Sequence, residues 1–316
     1  MIAGGFTRRL VSIGLVALGL GFLGATVFRN QAELRAFDWD VRWDILVVSL
    51  VLHLGVLAWG VFIWSRVLHH FGSARLAYPR LLRIWAWSNI TRYVPGGVWQ
   101  FLTAAQMSRD AGLPAVLALT SMLVHVSVTL LAAAVAAALT LPYGVAGLEF
   151  AAPWLRAVVL AASVALVHPA VLNLALRAAT RLMRREVLRW NARWRDGILL
   201  LGMSLVSWVV YGGAYSLFVG SLVPLPPGAF VPLIAVNALA FTAGYLVVLA
   251  PGGVGVREAA MAVLLTPVLP IGVAAIVSVA ARLWSIAAEL ALALGATLFI
   301  VRKESPDAGR TETETR

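Results

Sequence analysis

RYVPGGVWQF (Arg92–Phe101) and LAPGGVGVREAA (Leu249–Ala260) each set a Pro-Gly-Gly triplet and an arginine inside an otherwise apolar stretch. Proline removes a backbone donor and glycine admits positive φ, so neither stretch continues as one helix. In lipid, interrupted backbone is tolerated only where protein buries it or where it lines a polar cavity. Breaks of this kind, one in each half of a membrane protein, point to a transport site. The reading therefore starts from two broken hairpins, at Pro95, Gly96 and Gly97 and at Pro251, Gly252 and Gly253.

The rest of the composition places those breaks in a membrane. The chain of 316 residues is 61% hydrophobic and 12% charged, with a mean hydropathy of +0.90. A soluble domain with that balance would expose most of its apolar surface. With no cysteine there are no disulfides, thiolate metal sites or cysteine nucleophiles, and the five histidines show no metal-ligand spacing. No metal and no cofactor are expected. The net charge of +11 does not indicate nucleic acid, because the arginines fall in short loops that follow the positive-inside pattern. Lys303 is the only lysine, so nearly all of the basic charge is guanidinium.

Six apolar segments are long enough to cross about 30 Å of hydrocarbon as helices: Leu10–Phe28, Ile45–Trp64, Pro114–Leu141, Trp154–Leu176, Ile198–Leu222 and Ile271–Ile300. Arg8 and Arg9 place the N-terminus in the cytoplasm. Arg29–Asp44, with Trp39 and Trp43, reads as an amphipathic stretch at the outer interface. Seven arginines between Arg177 and Arg195 mark a cytoplasmic loop. Arg83–Arg109 cannot cross: two helices of about a dozen residues each reach only roughly 18 Å. It reads as a re-entrant hairpin opening to the cytoplasm. Phe230–Ala250 and Val256–Thr266 flank the second break, where a re-entrant hairpin and a full crossing are both compatible with the loop charges. The expected fold is all-α and polytopic, with about six transmembrane helices and two re-entrant hairpins in an inverted-topology repeat. It forms a single membrane domain over 1–303, with pseudo-repeats near 45–141 and 198–300. Residues 304–316 read as a disordered cytoplasmic tail.

Arg92 lies three residues before Pro95 and Arg257 four after Gly253, so each hairpin brings a guanidinium near its broken tip. Half-helices beginning at Val98 and Val254 would add N-terminal amides and positive dipole ends. That combination suits an anion such as phosphate, whereas the plain structural reading has both arginines snorkelling to the interface. Glu258, Arg282 and Glu289 are the other ionisable groups in the apolar second half. Arg282 and Glu289, seven residues apart, share a helix face that should turn inward. A Glu258–Arg282 salt bridge is one reading, and a proton-coupled carboxylate the other. Arg92, Arg257, Glu258, Arg282 and Glu289 are the candidate substrate-binding residues. His53, His125 and His168 each fall in a span. Asn89, Gln100, Asn173 and Asn237 read as interhelical hydrogen-bonding residues. No catalytic constellation emerges, so no enzyme activity is expected.

On YVPGGVW (Tyr93–Trp99) and APGGVGVREAA (Ala250–Ala260), with the order of spans, the chain resembles the lysylphosphatidylglycerol synthase transmembrane-region family, the flippase-like membrane module of the multiple peptide resistance factors. The resemblance implies movement of a lipid or lipid-linked headgroup between leaflets of the bacterial cytoplasmic (inner) membrane. It also implies roles for Arg257 and Glu258 and for the Pro-Gly breaks. The stretch after Arg302 leaves no room for an aminoacyl-transferase domain, so synthesis of lysylphosphatidylglycerol is not expected. His125-Val126 stands where many relatives carry an acidic-basic pair.

Three functions fit the sequence. The first is a translocase for an anionic phospholipid or lipid-linked headgroup. The second is a non-transporting membrane partner of a lipid-synthesis enzyme, such as one making glycolipids or hopanoids. The third is a small-anion transporter, which needs a cavity open to water alone.

Overall fold

The computed structural model describes residues 3–72, 76–94, 99–141, 153–183, 188–247 and 253–304. Pro95, Gly96, Gly97, Pro251 and Gly252, and the tail from 305 onward, lie outside the described residues. The described chain is all-helical: α1 (Ala3–Arg29), α2 (Gln31–Ala36), α3 (Trp43–His70), α4 (Tyr78–Thr91), α5 (Trp99–Asp110), α6 (Ala115–Thr140), α7 (Pro153–Leu166), α8 (Pro169–Met183), α9 (Trp194–Gly220), α10 (Phe230–Leu246), α11 (Val256–Leu265) and α12 (Ile271–Glu304).

Among the described residues, four helices are long and apolar enough to cross a membrane: Trp43–His70, Ala115–Thr140, Trp194–Gly220 and Ile271–Leu298. The protein is a multi-pass membrane protein. The expected straight span Trp154–Leu176 is instead two helices bent by 71°, which makes five candidate spans among the described residues if the pair is one. Pro169 causes the bend, because it lacks an amide and disfavours helix at the residue before it. His168 then caps α8, its Nδ1 accepting from the Ala170 amide at 3.2 Å. In α1, the segment Ala17–Arg29 is a shorter apolar helix.

α4 folds back on α5 and α10 on α11, each pair flanking one of the breaks. The two hairpins are held by corresponding neighbours: α4 lies against α3 and α12, and α10 against α9 and α6, while α3 and α9 form the central contact. α11 has 10 residues and reaches about 15 Å, half the hydrocarbon core. Buried alanines on α6 (Ala132, Ala133, Ala136) and α10 (Ala235, Ala238) leave no bulk to hold these two helices apart. The main core gathers Tyr215, Val219, Leu233, Met261, Leu265 and Val273, and a second one around Trp64, Leu81, Trp85 and Met122 fixes the first hairpin. On α12 the exposed Leu283, Leu290, Leu294 and Leu298 form the lipid-facing stripe, and Arg282 and Glu289 are buried.

Candidate functional site

The second hairpin is shaped by glycine at its tip. Gly255 caps α11 with φ of +84°, a conformation that side-chain-bearing residues rarely adopt. α11 then begins at Val256, the expected start of the segment Val256–Thr266 and two residues after the half-helix start expected at Val254; Val98, the other expected start, lies outside the described residues. Capping is completed inside the chain: the Glu258 carboxylate accepts the Gly255 amide at 2.6 Å, the one half of a capping box that a glycine N-cap, lacking a side chain, allows. One of the amides expected to face an anion is therefore already occupied.

All five candidate residues are brought together, in two roles. Arg92, Arg257 and Arg282 line a cavity of about 350 Å³ with Gln100, Phe101, Leu123, Val126, Ser127, Phe241, Gly244, Tyr245, Val247 and Gly253. Glu258 and Glu289 are absent from that lining and stand behind it. Glu289 is paired with Arg92 and accepts the Tyr93 hydroxyl at 3.0 Å. Glu258 lies 3.4 Å from the Arg282 Nε, so the ion pair that the sequence suggested is present. The Tyr93 ring also faces the Arg282 and Arg92 guanidinium groups, at 4.8 and 5.2 Å from its centroid.

Arg257 differs from the other two arginines. It is 5% exposed and donates to the Tyr211 hydroxyl at 2.9 Å, with its guanidinium 5.6 Å from the centroid of the Phe241 ring. Among the described residues it has no carboxylate in ion-pair contact. The hydrogen bond, the ring and, without contact, the Glu258 charge act against a desolvation cost that amounts to several kcal/mol per buried ion.

Tyr93, Tyr211, Phe241 and Tyr245 were not among the sequence candidates. The one signal for Tyr93 is its place in the first break motif; the other three are spread over α9 and α10 among apolar residues. Behind Tyr211, His53 stacks on its ring at 4.6 Å and meets the Trp284 ring at a tilt at 4.3 Å. His125 instead meets the Trp85 ring edge-on at 4.8 Å, and His168 caps α8, so the three histidines serve separate places. Asn89 and Gln100 bond each other across the first hairpin at 3.0 Å. Asn173 bonds the Trp190 backbone in both directions rather than another span. The Asn237 amide has no hydrogen-bond partner among the described residues, contrary to the interhelical bond expected of it. No group of three or more metal-ligating side chains occurs among the described residues.

The rim of the cavity includes Leu123, 46% exposed, and Ser127, also exposed, both partway along the 26-residue α6. Among known families, the one described as Lysylphosphatidylglycerol synthase TM region matches residues 9–295. No curated protein matches the chain.

Proposed function

The chain belongs to the lysylphosphatidylglycerol synthase TM region family, and from that premise we propose that it moves an anionic phospholipid, or a lipid-linked headgroup, between membrane leaflets. The observation that carries this reading is Arg257: a buried guanidinium on a cavity wall that bonds a hydroxyl, faces a ring and, among the described residues, has no carboxylate in ion-pair contact. Buried charges find counter-charges, and a phosphate oxygen in the cavity supplies the missing one.

A small-anion transporter would use the same charge. The rim favours a lipid, because Leu123 and Ser127 are exposed along a membrane-spanning helix, where a lateral opening meets acyl chains rather than water. Phe101, Leu123, Val126 and Phe241 give that side of the cavity an apolar lining compatible with a lipid stem. On this reading the two hairpins are re-entrant halves of an inverted repeat, which their corresponding neighbours support. The protein resides in the bacterial cytoplasmic membrane with both termini inside.

Leaflet exchange of fluorescent phosphatidylglycerol in liposomes holding the purified chain tests this. Exchange by the native chain and at least a tenfold loss in Arg257→Ala are expected, the scale of one lost charge-assisted contact, about 1.5–3 kcal/mol. Normal exchange by a folded Arg257→Ala chain would remove Arg257 from the site.

A further inference from the structure

The cavity's charges are balanced so as to leave one positive charge over. Three guanidinium groups line it and two buried carboxylates, Glu258 and Glu289, stand behind them. Neither break adds to the sum, since residues 95–98 and 248–252 contain no ionisable side chain. Each carboxylate holds one arginine: Glu258 takes Arg282 and Glu289 takes Arg92.

The two carboxylates are not equivalent. Glu258 is tied to its own helix by the Gly255 amide, so its position is fixed by the fold of α11. Glu289 is held by Arg92 and the Tyr93 hydroxyl, both adjoining the first break. It therefore sets how much of the Arg92 charge reaches the cavity.

We propose that Glu289 is a specificity-determining residue that limits the ligand to a single negative charge, admitting a phosphodiester and discriminating against a phosphomonoester dianion. The inference rests on the anionic-headgroup reading above. One negative charge neutralises the cluster. A second would have no positive charge left to neutralise it and would feel the Glu289 carboxylate behind the Arg92 wall through low dielectric, where like charges are unfavourable.

The test is a binding titration of the full chain in detergent micelles with phosphatidylglycerol and phosphatidic acid of identical acyl chains. It is run at pH 8.5, well above a phosphomonoester's second ionisation, about 6. The native chain should prefer phosphatidylglycerol about tenfold or more, as expected for an unpaired like charge. Glu289→Gln should bind phosphatidic acid roughly tenfold tighter than the native chain does and gain less for phosphatidylglycerol, so that the native preference is lost. Glu289→Asp, which keeps the charge, should retain the native ratio.

A native ratio in Glu289→Gln overturns the proposal and leaves the anion site standing. So does loss of both lipids by Glu289→Gln, which would assign Glu289 to holding Arg92 in place. If the native chain binds neither lipid, the anionic-headgroup reading falls and this inference with it. Dimethyl phosphate and methyl phosphate, titrated in parallel, separate the two sources of the same chemistry. Selectivity between the lipids alone assigns the site to a headgroup, and equal selectivity between the soluble pair assigns it to a free phosphate ester.

Discussion

Arg92, at the C-terminal end of α4, is paired with Glu289 on α12, 197 positions further along the chain. The pair joins the first broken hairpin to the last span, so the position of one arginine on the cavity wall depends on both halves of the protein. Both side chains are largely buried, 16% and 6% exposed. Removing one partner therefore strands a charge in low dielectric, whereas removing both does not.

The consequence is a non-additive cycle. Arg92→Ala and Glu289→Ala should each destabilise the protein by about 3–5 kcal/mol, the usual cost of breaking a buried pair from one side. The double variant should fall short of the sum by about 0.5–3 kcal/mol. Unfolding free energies in mixed micelles give the coupling, and additive losses would mean that the two side chains do not share their energetics.

Glu258 supports two structures at once, the cap of α11 and the charge of Arg282. Glu258→Gln keeps an oxygen for the Gly255 amide and loses only the charge, while Glu258→Ala loses both. The alanine variant should be less stable than the glutamine variant by about 1 kcal/mol, the typical worth of a helix cap. Equal stabilities would show that the cap contributes nothing.

Gly244 sets the distance between α10 and α11. A Cβ placed on it would stand 2.8 Å from the Arg257 Cβ, closer than packed carbons approach. Gly244→Ala should push α11 away at a cost of about 1–3 kcal/mol, as overpacking does, and should slow leaflet exchange by displacing Arg257. Gly213→Ala on α9 meets nothing within 4 Å and is the matched control, expected to leave exchange unchanged.

These positions mark what local pattern can and cannot carry. The start of α11 was legible within two residues because Gly253 and Gly255 break the helix locally and Arg257 and Glu258 follow at once. The inward face of α12 was legible because Arg282 and Glu289 are seven residues apart, close to two helical turns. The bend at His168-Pro169 was missed for the opposite reason: apolar residues on both sides keep the average hydropathy high across it. The division of labour within the site was also hidden. That Arg92 meets Glu289, or that Tyr211 on α9 receives Arg257 on α11, is decided by how distant helices pack, and hydropathy with helical periodicity encodes only which face turns inward.

Arg257 also allows charge to be separated from geometry. Lysine keeps the positive charge but is a compact ammonium without the planar fork, so it stacks less well on Phe241 and addresses a phosphate as a point charge. If charge alone matters, Arg257→Lys should exchange lipid like the native chain. If the cavity needs the guanidinium to hold Tyr211 and an oxyanion together, Arg257→Lys should fall between native and Arg257→Ala. The second outcome is expected, because the Tyr211 hydroxyl lies 2.9 Å from the guanidinium Nη2 and a single ammonium must serve both acceptors from one point. Tyr211→Phe completes the comparison: by removing one neutral acceptor it should cost about 1–3 kcal/mol of stability while exchange stays above that of Arg257→Ala. Exchange in Arg257→Lys as low as in Arg257→Ala would show that the geometry of the guanidinium outweighs its charge.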